Sequence, residues 1–316
     1  MSKKIKKMCL ALGLAAVVGV SAGACACTVK SKHPTVRITI SFNQEEYEID
    51  YTLYRNMYPQ TVQHFIELVD AGFYDNTIIH DYKSSDWVGG EYWYDDSETS
   101  GYVSSNGRNA MGEYFENHSK EKDYYDLVNE GIKNGDFTAS VFKKTTFDKK
   151  GKEIVEAQDA LSTLIGEFSE NGHKIADNKG LTATYGTLKM VYYKKDIQPI
   201  FVKNSFDQIL PRDYNYNCAT SLFSLQMKDG STYTADKYAV FGQLKNDKAR
   251  NKLEDLTDAV SDYATTLGST NKLTTPVNVK VETEDKFADE GGKDIETSFT
   301  VISMPIIIVK MEVTKY

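Results

Sequence analysis

Two runs of strictly alternating apolar residues near the start of the chain limit its fold more than any other feature. Apolar side chains occupy every second position from Val36 to Phe42 and again from Tyr47 to Leu53, with a polar turn between the runs. Successive side chains of a strand point to opposite faces, so the pattern predicts two half-buried antiparallel strands. Aromatic residues make up 12% of the chain, which also favours β-structure because their rings pack well on a pleated surface.

Two later segments show helical spacing instead. After Pro59, apolar residues recur at i, i+3, i+4 and i+7, and Gly72 supplies a stop signal. A second amphipathic helix is predicted from about Asp247 to Thr266. Most other apolar runs are strand-like, including the last one, Ile306 to Val313. The pattern favours a closed antiparallel barrel with helices at its ends.

A polar stretch rich in Lys, Asp and Glu interrupts this pattern at about residues 95–162. It contains one candidate helix, at residues 120–134. We expect a surface insertion whose removal leaves a folded barrel. Loops longer than about 15 residues are uncommon without a function, so a partner-binding role for the insertion stays open.

The first 27 residues have the three parts of a secretory signal. Four lysines precede an apolar stretch from Met8 to Val20, and small residues then lead into Cys25. Small residues before a Cys resemble the bacterial lipobox, which implies a signal peptide over residues 1–24, lipid on the Cys25 thiol and a tether over residues 25–35. Cys27 is the alternate lipidation site. An ordinary cleaved signal with incidental cysteines is the other interpretation.

Charge and cysteine content exclude several classes of protein. The net charge of −8 argues against nucleic acid as a binding partner and against binding to anionic lipids through a polybasic segment. If Cys9 leaves with the signal and Cys25 carries lipid, only Cys27 and Cys218 remain, so we expect no disulfide framework. The five histidines are scattered without ligand spacing, so no metal or cofactor is expected.

Seven short segments of the domain at residues 36–316 each match a segment of one protein family, and they occur in the same order as in that family. They are 59–75 (PQTVQHFIELVDAGFYD), 77–81 (TIIHD), 88–91 (VGGE), 165–172 (IGEFSENG), 186–190 (GTLKM), 217–225 (NCATSLFSL) and 238–244 (YAVFGQL). Each is similar to a segment of the cyclophilin-type peptidyl-prolyl isomerases. No catalytic motif of another enzyme family is present.

The resemblance implies a fold and an activity. The fold is an eight-stranded antiparallel barrel capped by two helices, with a peptide groove on one face. The activity is rotation about an X–Pro bond, whose barrier is about 18–20 kcal/mol. In this family the proline lies in an apolar pocket, and an Arg guanidinium donates to the prolyl group, which stabilises the twisted state electrostatically.

The positions that correspond to the family's site have changed. The Arg position is Asp81, which inverts the charge. Trp87 and Val88 fall near an apolar residue and a Gln of the groove. A second Gln position is Leu222, and the pocket Phe position is Ser224, unless a one-residue shift puts Phe223 there. The remaining groove positions, which the resemblance also assigns to substrate binding, are Val191, Tyr192, Tyr233 and Tyr238.

Two functions follow as hypotheses. The first is a peptidyl-prolyl isomerase, anchored outside the cell membrane by lipid, that helps exported proteins fold with weak activity. The second is a barrel that has lost its catalytic Arg and binds a protein partner or a proline-containing peptide without efficient turnover. Trp87 and Tyr238 are either ordinary barrel aromatics or the wall of an altered groove.

The leader gives a direct prediction about anchoring. Replacing Cys25 by Ala should abolish labelling with a radioactive fatty acid and release the protein from the membrane fraction, because the thiol is the attachment point. Cys27→Ala is the matched control and should keep both. Unchanged labelling of Cys25→Ala would move the site to Cys27, and an unlabelled parent protein would exclude a lipoprotein.

Overall fold

The fold was analysed in a computed structural model. It describes residues 31–98, 102, 108–139, 146–147, 150, 152–154, 164–167, 173–175, 181–203, 206, 208–229, 239–268, 272–281 and 295–316. The predicted signal, Cys25 and Cys27 lie outside these residues. Within the described part, residues 31–316 belong to one compact unit. None of the helices in that part is long and apolar enough to cross a bilayer.

Strands dominate the described chain. They are β1 (Thr35–Phe42), β2 (Glu45–Leu53), β3 (Thr77–Tyr82), β4 (Asp86–Trp93), β5 (Thr146–Phe147), β6 (Glu153–Ile154), β7 (Leu164–Ile165), β8 (Leu188–Lys203), β9 (Ile209–Gln226), β10 (Val240–Leu244), β11 (Thr274–Val281), β12 (Ile295–Ile302) and β13 (Ile307–Lys315). The α-helices are α1 (Pro59–Asp70), α2 (Arg108–Asn117), α3 (Glu121–Asn134) and α4 (Asp247–Thr266), and a 3-10 turn spans Asp96–Glu98.

Eight of these strands close into an antiparallel barrel, as the sequence predicts. Their order is β8-β10-β2-β1-β13-β3-β4-β9, and β9 pairs again with β8 to complete the ring. The predicted hairpin of β1 and β2 is present in continuous register from Thr35↔Thr52 to Phe42↔Glu45. Beyond the barrel, β8 and β9 continue as a ribbon to the pair Lys203↔Ile209, which the sequence did not predict.

Helix α1 begins and ends as the sequence predicts. Pro59 lies in its first turn, and the Glu167 carboxylate accepts hydrogen bonds from the N–H groups of Gln60 (3.2 Å) and Thr61 (2.8 Å). A carboxylate is favourable there because it pairs N–H groups that have no partner within the helix. At the other end, Gly72 has φ +68°, and the Phe73 N–H donates to the Leu68 carbonyl over 2.9 Å.

The barrel interior is one apolar core, which we call the main core, and α1 and α4 both contribute to it. Helix α4 coincides with its prediction and begins at the Asn246 side chain, which accepts from the Ala249 N–H over 3.0 Å. Strand β4 contains two consecutive glycines, Gly89 and Gly90. A Cβ on Gly90 would lie 2.6 Å from the Ser221 carbonyl oxygen, so only Gly allows β4 and β9 to approach this closely.

A second, smaller core lies on the outer side of β3 and β4, and we call it the accessory core. It joins the barrel surface to α2 and to the separate β11–β12 hairpin. Its members are Ile78, Tyr92, Tyr102, Met111, Tyr114, Phe115, Val277, Val279, Phe299 and Val301. The sequence analysis missed both α2 and β12.

Part of the stretch at residues 95–162, where the sequence predicts a surface insertion, packs against the barrel. Tyr124, Val128 and Phe137 are buried in the main core, and Phe115 lies in the accessory core. The Glu67 carboxylate in α1 also accepts from the Thr138 N–H (2.6 Å) and hydroxyl (2.7 Å). A small number of apolar residues in this highly charged stretch is therefore enough to anchor it on the barrel.

The accessory core should contribute measurably to stability. Phe115 is fully buried, with ring centroids of Tyr92 and Phe299 both 5.1 Å away. Phe115→Ala should lower the free energy of unfolding by about 3–5 kcal/mol, measured by denaturant titration. The control is Phe206→Ala at a site 82% exposed, where a change within about 0.5 kcal/mol is expected. Equal stability of the two variants would contradict a packed accessory core.

Candidate functional site

Register places four residues side by side across the outer face of the barrel. Asp81 of β3 lies opposite Val88 of β4, Val88 opposite Ser224 of β9, and Ser224 opposite Lys189 of β8. Their neighbours Trp87, Phe223 and Leu188 belong to the main core inside the barrel. Because strand side chains alternate between faces, the four residues point outward. We call them the outer row.

A β-bulge turns Asp81 to this face. Ile79 pairs with Gly89 and Asp81 with Val88, so β3 has one residue more than β4 between these pairs, and that residue is His80. A bulge of this kind changes the direction of the side chains that follow it. Ile79 therefore lies in the main core, whereas Asp81 reaches the hairpin on the outer side.

The carboxylate of Asp81 is already engaged. Its Oδ1 accepts from the Thr300 N–H of β12 over 3.0 Å, and its Oδ2 pairs with the ammonium of Lys83. Asp81 is only 8% exposed. It can accept hydrogen bonds but cannot donate one while ionised, so it cannot act as a guanidinium would. The position instead holds the β11–β12 hairpin against β3.

His80 lies in the seam between the barrel and the hairpin. Its ring centroid is 4.9 Å from that of Tyr92 and 5.2 Å from that of Phe299, both in edge contacts. Burial lowers the pKa of His80 to about 4, while Asp81 acts to raise it and Lys83 to lower it. The imidazole is therefore neutral near neutral pH and packs as an aromatic residue.

A buried ion pair lies at the other end of the outer row. The Lys189 ammonium donates to the Asp86 carboxylate at the start of β4 and to Oε1 of Gln226 over 2.8 Å. Lys189 is 2% exposed, and burial lowers the pKa of its ammonium group, although Asp86 opposes that shift. In β9, Ser224 is the register partner of Lys189. A charged cluster therefore stands where the resemblance implies an apolar proline pocket.

The other predicted site residues divide between the two faces. Trp87 belongs to the main core, with its ring 5.4 Å from that of Tyr82, so it is a barrel aromatic and not a groove wall. Phe223 also points inward, which leaves Ser224 on the outer face. By alternation with Phe223, Leu222 shares the outer face with Ser224 and is buried. Val191 lies at an irregularity of the β8–β9 pairing and is half-buried. Tyr233, Tyr238 and the side chain of Tyr192 lie outside the described part of the chain.

Sequence reasoning missed Asp86, Lys189 and Gln226. A signal for Lys189 was available, because a lysine between Leu188 and Met190 is a charge flanked by two core positions of a strand. Thr300 carried no such signal, since its backbone N–H, not its side chain, contacts Asp81. Across the described residues, no group of His, Cys, Asp and Glu side chains is arranged to hold a metal ion.

Comparison with known proteins identifies the family. The sequence profile of the family described as "Cyclophilin type peptidyl-prolyl cis-trans isomerase/CLD" matches residues 36–197, about half of the chain. The chain therefore belongs to the cyclophilin-type peptidyl-prolyl cis-trans isomerase family. No curated protein sequence gives a match.

Solved structures of cyclophilins are similar at low sequence identity. A cyclophilin-type isomerase of Cryptosporidium parvum is 15% identical with a TM-score of 0.36, and the match covers 90% of this chain and 99% of the other. The same protein in the presence of the dipeptide Ala-Pro gives 15% identity, a TM-score of 0.35, and coverage of 89% and 99%. The Mimivirus cyclophilin is 10% identical with a TM-score of 0.36, and the match covers 91% of this chain and 92% of the other.

The buried state of His80 predicts how stability depends on pH. Its pKa is about 4 in the folded chain against an ordinary 6.5, so below pH 6.5 the unfolded chain binds a proton that the folded chain does not. The free energy of unfolding should fall as the pH drops from about 6.5 to about 4, by up to about 1.4 kcal/mol per pH unit from this group.

His80→Gln should remove that part of the slope, measured by urea unfolding at pH steps between 4 and 7. His64 is a parallel case, because burial lowers its pKa to about 3, and His64→Gln should flatten the curve in the same direction. Stability curves of the parent and His80→Gln that run parallel across this range would contradict a neutral, buried His80.

Proposed function

We propose that this chain is a peptidyl-prolyl isomerase-like protein with weak activity that assists the folding of exported proteins. The observation that carries the weak activity is the Asp81 carboxylate at the position of the family's Arg, bonded to the Thr300 N–H. Membership of the isomerase family supports a proline-containing peptide as the ligand. The signal-like leader supports a site of action outside the cytoplasm.

The chemistry explains why activity should be weak. Twisting an X–Pro bond loses amide resonance, and a positioned donor next to the prolyl nitrogen stabilises the twisted state. Losing one charged donor from a preorganised site costs about 2.7–4 kcal/mol, or about 10²–10³ in rate. The Lys189–Asp86 ion pair adds a second obstacle, because an apolar prolyl ring gains little from a polar surface.

A non-catalytic binding protein is the second candidate. It is favoured by the burial of the outer row, where Asp81, Ser224 and Lys189 are each less than a tenth exposed. Such a barrel would recognise a protein partner or an extended peptide through its surroundings and would release it without turnover. The two candidates share the fold and the ligand class and differ only in whether rotation is accelerated.

The cellular location is part of the proposal. We place the barrel outside the cytoplasm, held at the cell membrane by lipid on Cys25 and separated from it by the tether at residues 25–35. Exported chains that emerge from the membrane would then meet the barrel at high local concentration. A lipid anchor also explains why the acidic domain needs no basic surface of its own to stay at the membrane.

The test is an isomerisation assay with short X–Pro peptides on the chain from Ser31 to Tyr316, which forms one compact unit. Turnover should lie about 10²–10³-fold or more below that of an ordinary cyclophilin measured in parallel. Asp81→Arg alone should recover little, because Ser224 and the Lys189–Asp86 ion pair remain in place of the apolar pocket that the resemblance implies. Asp262→Arg, a charge reversal on the exposed side of α4, is the matched control.

Two outcomes decide between the candidates. Slow turnover that a proline-peptide competitor suppresses would support the weak isomerase. Peptide binding with no turnover at all would favour the non-catalytic protein. Turnover equal to that of an ordinary cyclophilin would refute both, since it would require another donor in place of the missing Arg.

A further inference from the structure

The β11–β12 hairpin is a separate two-stranded sheet laid against the outer side of β3. Its strands pair only with each other among the described residues, from Thr274↔Ile302 to Val281↔Ile295. Three of its apolar residues, Val277, Val279 and Val301, are fully buried in the accessory core. The hairpin therefore binds the barrel through side chains and not through continuation of the barrel sheet.

Three kinds of contact hold the hairpin next to Asp81. The Phe299 ring packs on His80, and the Thr300 N–H donates to the Asp81 carboxylate. At the end of β12, the Tyr102 hydroxyl donates to the Ile302 carbonyl over 2.9 Å. The first two of these contacts are made to β3, at His80 and at Asp81, the first residue of the outer row.

The hairpin backbone makes the Asp81 contact available. Thr300 lies opposite Pro276 in the hairpin register. The Thr300 N–H points away from β11 and is used on Asp81 instead of in the hairpin ladder. An extended segment that presents an aromatic ring and then a backbone N–H therefore already occupies this face.

We propose that the β11–β12 hairpin is autoinhibitory: it occupies the outer face of β3 at Asp81, and a proline-containing peptide must displace it to bind there. The inference rests on the proposed function, because it takes a proline-containing peptide as the ligand. The apparent affinity for that peptide is the intrinsic affinity reduced by the fraction of molecules in which the hairpin is displaced.

Loosening the hairpin should therefore strengthen peptide binding. Thr300→Pro removes the N–H that donates to Asp81. Because that N–H is not used between β11 and β12, the substitution should leave the hydrogen bonds of the hairpin intact. A hydrogen bond to a charged group is strong enough that its loss should raise the open fraction about tenfold or more. Phe299→Ala, which removes the contact with His80, is the second variant. Ser298→Ala is the control, because Ser298 is exposed and its hydroxyl bonds only within the hairpin to Asn278.

The experiment uses the full-length protein in detergent micelles and two measurements. Hydrogen exchange of the hairpin amides reports whether the hairpin opens, and fluorescence anisotropy of a dye-labelled Ala-Ala-Pro-Phe peptide reports binding. Thr300→Pro and Phe299→Ala should show hairpin exchange about tenfold faster or more, unchanged exchange in β1 and β2, and a Kd lower by a similar factor. Ser298→Ala should match the parent in both measurements.

Several outcomes would overturn the proposal. Faster hairpin exchange with an unchanged Kd would show that the hairpin does not compete with the peptide. Unchanged exchange in both variants would show that these contacts do not hold it. Loss of protection in β1 and β2 together with the hairpin would make the hairpin part of the barrel fold. The proposed weak turnover is tested separately on the parent chain, so either idea can fail without the other.

Discussion

The pairing of β8 with β9 closes the barrel, and every other feature of the molecule depends on this closure. Strand β8 pairs with β10 on one side and with β9 on the other, so the eight-stranded ring has no free edge. Closure fills the interior with side chains, as expected for a barrel of this size. Trp87 and Phe223 are among the side chains that fill the interior. The outer row lies on the opposite face of the same strands.

Closure also creates the need for the accessory core. Ile78 and Tyr92 point away from the barrel interior, and exposed apolar surface of this kind is unfavourable in water. Helix α2 and the β11–β12 hairpin cover these side chains with their own apolar residues. The two added segments are far apart in sequence, but they meet on one patch because that patch is the apolar part of the outer face. Shielding it brings the hairpin beside Asp81.

The sequence predicted the barrel well because its strands and helices follow simple periods. The alternation in β1 and β2 and the stripe of α4 come from elements with one buried and one exposed side, which is the case that periodicity describes. The prediction failed where burial was unusual. Helix α2 has only Met111, Tyr114 and Phe115 as apolar residues at helical spacing, and a glycine among them weakened the signal. Strand β12 follows an acidic stretch that reads as a loop, so its start was missed.

The candidate site was predictable only in part, for a related reason. A resemblance transfers positions, and so it located Asp81, Val88 and Ser224, which the register indeed places side by side. It could not supply the contacts of the replacing residues, because those depend on partners distant in sequence. Lys189 reaches Asp86 across more than a hundred positions of the chain, and Asp81 reaches a backbone group of β12.

The exchange of Arg for Asp at this position and the presence of the hairpin are physically linked. A guanidinium carries only donors, and the Thr300 N–H is also a donor, so an arginine at residue 81 would leave this part-buried N–H without its acceptor. Loss of that hydrogen bond to a charged group would weaken the seam between β3 and β12. A carboxylate solves this problem and, with Lys83 beside it, has its own charge compensated. The acidic residue at the position where the resemblance implies the family's donor is therefore the same residue that bonds the hairpin to β3.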